Sequence, residues 1–201
     1  HRAILHGCTI GDGALIGTTI YDVLDRYVEM YGWDATMPVA RTDIGNICMT
    51  SVGTEPLLYQ CQALKGAEII ILSVTGGSNA PSAISTARTS RVYTVGVGNS
   101  VSPDNLGFTE SGSAGDEGTV IVDPRGTTIG RTANHHEDIA TARIPIADFR
   151  RTRRLPEYPM ALLLPVLQQY EPVFQPNAFL DYLPTSYKDA GDYVKRRTGG
   201  K

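Results

Sequence analysis

The sequence predicts an α/β protein whose mixed sheet is covered by helices on one face. Three observations predict it. Residues 18–31 read TTIYDVLDRYVEMY, and Ile20, Val23, Leu24, Tyr27, Val28 and Tyr31 fall on one helical face. Residues 69–74, IIILSV, form an unbroken run of mainly aliphatic residues, the pattern of a strand buried on both faces. Asp123-Pro124-Arg125-Gly126 places Pro and Gly where a hairpin turn needs them, between two short β-rich runs.

The elements follow in order. Thr19, with Asp22 three residues later, suits the start of the first helix, and Gly32 ends it. Asp22, Asp25 and Glu29 are expected on its solvated face. Residues 37–42 and 47–52 read as short strands, joined by the turn Asp43-Ile44-Gly45. Pro56 at the first helical position opens a helix that Lys65-Gly66 closes. After the aliphatic strand, Gly76-Gly77-Ser78-Asn79 is a loop at its carboxyl end. A helix is expected over 81–91, a strand over 92–97, and a Gly/Ser/Asp-rich loop over 98–118. Strands at 119–122 and 127–131 flank the hairpin turn, with a further strand at 139–146 and a short helix at 147–153. Prolines at 156, 159, 165, 172, 176 and 184 are expected to forbid long elements beyond 155, leaving a tail that wraps over a neighbour.

The composition limits the functional classes. The chain has 201 residues, of which 41% are hydrophobic and 19% charged, with a net charge of −3. That is a globular composition with no basic excess for nucleic acid. The longest apolar run, residues 160–164, is too short to span a bilayer. Three cysteines, Cys8, Cys48 and Cys61, fit neither a disulfide framework nor a CxxC zinc site, so a reducing, cytoplasmic setting is expected. The chain opens on His rather than Met, and a truncated start is expected.

The first seventeen residues differ from the rest. Ile10-Gly11 and Ile16-Gly17 lie six apart, and a six-residue aliphatic–Gly period resembles a left-handed parallel β-helix. The segment is similar to hexapeptide-repeat proteins of the γ-carbonic anhydrase type. In that family a His-x4-His pair supplies two zinc ligands, and His1 and His6 have the spacing. A zinc site needs at least three protein ligands, so these two do not make one by themselves.

Residues 18–155 resemble the C-terminal part of the nitrilase superfamily of carbon–nitrogen hydrolases. The resemblance is carried by Thr42-Asp43-Ile44-Gly45, by Glu55-Pro56 with Lys65-Gly66-Ala67-Glu68, by Asn99, and by Val122-Asp123-Pro124-Arg125-Gly126. It implies a partial α-β-β-α sandwich, preceded here by the β-helix-like segment, and units packed back to back as a homodimer or larger homo-oligomer. The expected divisions are 1–17, 18–155 and a Pro-rich extension over 156–201.

The resemblance also implies a Glu–Lys–Cys site. Cys attacks a small amide or nitrile, Glu is the general base, Lys stabilises the developing anion, and no cofactor is required. Six residues before Pro56 stands Thr50, and Cys48 lies two earlier, so a shifted register makes Cys48 the nucleophile. The Lys and the base Glu have no counterpart, and Lys65 is a poor substitute. In the family the Gly76-Gly77 loop lines the pocket, and Arg88, with Arg91, suits a substrate carboxylate. Three readings remain open: a hydrolase acting on an amide or nitrile with release of ammonia, a non-catalytic dimerising relative, and a zinc protein using His1 and His6. No nucleic-acid or membrane partner is expected. His135-His136-Glu137 reads as an exposed loop, Ser111-Gly112-Ser113 lacks a nucleophile-elbow context, and the run from Arg150 to Arg154 reads as a solvated or interface cluster.

Overall fold

The structure is a computed structural model that describes residues 7–10, 13–16, 20–50, 55–73, 79–98, 118–133, 138–171, 175–182 and 185–198. The chain forms two compact units, His1–Met37 with Tyr158–Lys201, and Pro38–Glu157. The first helical segment therefore groups with the terminal segments and not with the sheet. Among the described residues no helix is long and apolar enough to cross a membrane.

The unit Pro38–Glu157 has the α/β class that the sequence predicts. Its five strands, numbered after two in the terminal unit, are β3 (Ile47–Thr50), β4 (Ile69–Ser73), β5 (Tyr93–Val97), β6 (Val120–Val122) and β7 (Thr128–Arg131), hydrogen-bonded in that order. The pairs β3–β4 and β4–β5 are parallel, while β5–β6 and β6–β7 are antiparallel. The helix α2 (Pro56–Leu64) crosses from β3 to β4, and α3 (Asn79–Ser90) crosses from β4 to β5.

One face of the sheet buries Cys48, Ile70, Leu72, Val120 and Val122 with Tyr59 and Ala63 of α2 and Ala80, Ala83 and Ala87 of α3. The small alanines let the helix lie close to the strands. Helices do not keep to one face, however. The short helix α4 (Ile146–Thr152) packs Phe149 on the opposite face against Ile69 and Tyr93, with the Tyr93 and Phe149 rings edge-on at 5.1 Å. This second core is smaller, and Met49, which points to the same face, is 63% exposed.

Two expected strands are absent. Residues 37–42 contribute only an isolated bridge, Ala40 to Ile47. Residues 139–146 form no ladder. Pro145, which lacks a donor, N-caps α4 there, and Ile146 is already helical.

The terminal unit holds the antiparallel pair β1 (Gly7–Ile10) and β2 (Gly13–Ile16), with Cys8 opposite Leu15. Successive turns of a left-handed β-helix pair in parallel, so this hairpin departs from the coil that the six-residue period suggested. A 3-10 turn, Ile20–Val23, leads into α1 (Leu24–Tyr31), which ends at Gly32 with φ of 79°. Asp22, expected to be solvated, is 5% exposed, because the chain returns over this turn: the amides of Asn177 and Phe179 donate to the carbonyls of Tyr21 and Asp22. The prolines do not forbid helices beyond 155 either. The helix α5 (Met160–Gln169) has Pro159 as its N-cap and accommodates Pro165, and α6 (Tyr187–Thr198) contains no proline.

Candidate functional site

The parallel strands define the edge where chemistry is expected. In the ladders Thr50 pairs with Leu72 and Ser73 with Val97, so β3, β4 and β5 end along one carboxyl edge. In α/β folds ligands collect at such an edge, in the loops that leave it. Cys48 stands two residues before the end of β3, in a row with Ile70, Thr94 and Val122. Thr50, which stands six residues before Pro56, is buried on the same face one row nearer the edge.

Cys48 is 2% exposed, and its thiol has no hydrogen-bond partner among the described residues. Burial pushes its pKa up to about 12 from 9.0. At neutral pH the thiolate fraction is then on the order of 10⁻⁵, too little for a nucleophile without a charged neighbour to lower the pKa. Lys65 does not supply that charge. It C-caps α2 close to Glu68, at the amino edge of the sheet.

The motif Lys65-Gly66-Ala67-Glu68 has a structural role. Gly66 takes φ of +97°, and its amide donates to Ala63 O. Ala67 is fully buried, and its amide donates to Gln62 O at 3.0 Å. Carbonyls at this helix end also accept from cationic and amide side chains: Lys65 O from Arg41 at 2.5 Å, Ala63 O from Arg153 at 3.1 Å, and Gly66 O from Asn46 at 3.1 Å.

Glu68, 4% exposed, accepts from the Asn46 amide at 2.7 Å and from Arg150 Nε and Nη2, each at 2.9 Å. Burial alone would raise its pKa. The Arg150 hydrogen bonds, the Asn46 amide and the charges of Arg150 and Arg153 outweigh burial and hold it below the ordinary 4.5. The arginine run is thus distributed over several tasks: Arg150 pairs with Glu68, Arg151 with Asp148, and Arg153 caps α2. Sequence reasoning missed the Glu68–Arg150 pair. Its only signal was a carboxylate directly before a mainly aliphatic strand, and the partner lies 82 positions away.

Arg88 lies away from the carboxyl edge. The helix α3 runs back along the sheet, so its last turn reaches the amino edge, where Tyr93 N donates to Glu68 O. Nine residues of helix separate Arg88 from Asn79, about 13 Å. There Arg88 Nε donates to Arg125 O at 3.1 Å, in the β6–β7 turn. Asp123 organises that turn by accepting the amides of Arg125 and Thr127 on Oδ1. Gly76 and Gly77 lie outside the described residues, as do His1, His6, Asn99, the 111–113 segment and residues 135–137. The described residues include no group of three His, Cys, Asp or Glu side chains able to hold a metal ion.

No protein-family model and no curated protein matches the chain. Among solved structures it is similar to a carbon–nitrogen hydrolase from Helicobacter pylori, with 18% identity and a TM-score of 0.43 over 66% of this chain and 49% of that one. It is similar to a branch 10 member of the nitrilase superfamily from Saccharomyces cerevisiae, with 22% identity and a TM-score of 0.40 over 56% of this chain and 42% of that one. A third is an amidase from Nesterenkonia sp., with 17% identity and a TM-score of 0.43 over 65% and 48%. The chain therefore spans about half the length of the solved structures it matches.

Proposed function

We propose that this chain contributes the nucleophile-bearing part of a nitrilase-type carbon–nitrogen hydrolase, with Cys48 as the nucleophile. One observation carries the reading: the Cys that follows the Thr42-Asp43-Ile44-Gly45 segment stands on β3, two residues from the edge where three parallel strands end together. In this reading the Cys48 sulfur attacks the carbon of a small amide. A general base takes the thiol proton and, as its conjugate acid, gives it to the leaving nitrogen; the C–N bond breaks, ammonia leaves, and water hydrolyses the thioester to acid and free thiol. A nitrile adds the thiol to give a thioimidate, which takes up one water to release ammonia and form the same thioester. The reaction needs a carboxylate and an ammonium beside the thiol, and the described residues place neither there. The assembly proposed with it is a homodimer or larger homo-oligomer in the cytoplasm.

The test is ammonia release from a panel of short aliphatic amides and nitriles by the protein and by Cys48→Ala. Turnover that the variant abolishes supports the reading, and an equal rate in the variant removes Cys48 from it. The high thiol pKa favours a second reading, a non-catalytic relative that binds without turnover. Alkylation by iodoacetamide at neutral pH separates the two. Cys61 is exposed and serves as the internal standard. Labelling of Cys48 faster than Cys61 means an activated nucleophile, whereas protection of Cys48 in the native protein favours the non-catalytic reading.

A further inference from the structure

At the amino edge of the sheet, opposite the end that Cys48 approaches, lies a half-open cavity of about 580 Å³. It is lined by five arginines, Arg88, Arg91, Arg125, Arg153 and Arg154, against two carboxylates, Asp123 and Asp148. Asp148 pairs with Arg151, and Asp123 Oδ1 accepts two amides of its own turn, so the arginines still outnumber the carboxylates. Arg91, Arg125 and Arg154 form no ion pair among the described residues. The buried Nε of Arg153 has no hydrogen-bond partner either. A protein with a net charge of −3 has thus gathered an excess of guanidinium groups into one concavity.

Two of these arginines sit at or against left-handed backbone positions. Arg88 lies across the turn at Gly126, where a Cβ would come within 2.5 Å of its Nε, so only glycine leaves it room. Arg91 takes φ of +52° immediately after α3, a position that glycine normally fills. An arginine tolerated there keeps its side chain at the cavity.

We propose that this cavity binds a small organic phosphate through Arg88, Arg91, Arg125 and Arg154. Guanidinium groups match phosphate oxygens with paired donors and are weakly hydrated. Five cations facing only two carboxylates among the described residues fit a multiply charged anion. The volume exceeds a single phosphate and lies in the range of small-molecule sites, about 300–1,000 Å³. The site is separate from the Cys48 edge, so it does not depend on the hydrolase reading.

The test is calorimetric titration of the full chain with inorganic pyrophosphate, then with ADP, citrate and a short oligothymidylate. Binding of one pyrophosphate per chain is expected. It should weaken about tenfold or more in Arg91→Gly and in Arg125→Gln, and remain unchanged in Arg131→Gln, an exposed arginine outside the cavity. Arg91→Gly relieves the left-handed backbone, so loss of binding in a variant that melts no lower than the parent is a loss of the guanidinium. ADP should compete with pyrophosphate for the same site. Absence of saturable binding overturns the proposal, as does an equal loss in Arg131→Gln. Tighter binding of citrate than of ADP, or of the oligonucleotide with the same arginine dependence, assigns the site to another ligand class and also overturns it.

Discussion

At the residue scale, charge and backbone sign decide more than side-chain size. Gly126 is one case. It sits at φ of +84°, in a turn that also supports Arg88. Gly126→Ala should cost about 1–2 kcal/mol from the left-handed backbone and displace Arg88 from the Arg125 carbonyl. Denaturant unfolding reads the first effect. Replacing Arg88 by Gln reads the second, because the two changes should not add if both break the same contact. The Glu68–Arg150 pair is the other case. The carboxylate is buried and its partner's side chain is 39% exposed, so water compensates part of any loss. Glu68→Ala should destabilise by about 2 kcal/mol, below the 3–5 kcal/mol typical of a fully buried pair. A loss under about 0.5 kcal/mol would mean that the pair behaves as a surface contact.

At the element scale, α2 shows what the sequence could and could not disclose. Its start at Pro56 and its close at Lys65-Gly66 were legible because proline at N1 and glycine past the end act locally. The strand from Ile69 and the hairpin around Asp123 to Gly126 were legible for the same reason. The strand expected at 139–146 was not formed, because alternation describes a face and not a partner, and no neighbouring strand completes a ladder there. Cys48 could be placed on a strand near its end, but its burial depends on Tyr59 and Ala63 of α2, which no local pattern reveals. The direction of α3 was not legible either: a crossover helix returns to the amino edge, so Arg88, late in it, leaves the carboxyl loops behind. The guanidinium groups on the end of α2 were equally hidden, since Arg41 and Arg153 are distant in sequence. They yield a prediction for this element. Arg153→Ala removes the guanidinium bonds to Ala63 O and Gly66 O, while Ala63 O keeps the Gly66 amide, and should cost about 1 kcal/mol. Arg153→Lys should recover only part of it, because one ammonium cannot repeat the guanidinium's reach to both Ala63 O and Gly66 O. Full recovery in Arg153→Lys, to the stability of the parent, would mean that charge near the helix end, not the donor geometry, is what counts.

At the scale of the whole molecule, these groups set the pH range over which the sheet unit is stable. Glu68 titrates below 4.5 in the folded protein, so the unfolded chain binds its proton first as pH falls. The stability it contributes is present above pH 4.5 and is lost as pH drops through the folded value. Cys48 acts at the other end with the opposite sign. Its folded pKa of about 12 exceeds the 9.0 of an ordinary thiol, so above pH 9 the unfolded chain releases a proton that the folded chain keeps. Stability then falls as pH rises from 9 toward 12, by up to about 1.4 kcal/mol per pH unit for this one group. Tyr59 and Tyr93, both raised chiefly by burial, add to the decline above pH 10. Urea unfolding from pH 3 to pH 11 should therefore give a plateau between about 5 and 9 with two separable flanks. Glu68→Gln should flatten the acid flank and leave the alkaline one. Cys48→Ala should flatten the span from 9 to 10, where the tyrosines do not yet contribute. An alkaline flank unchanged in Cys48→Ala would mean that the thiol ionises near its ordinary pKa in the native protein. Cys48 would then be open to activation, and the balance between the two functional readings would move toward the hydrolase.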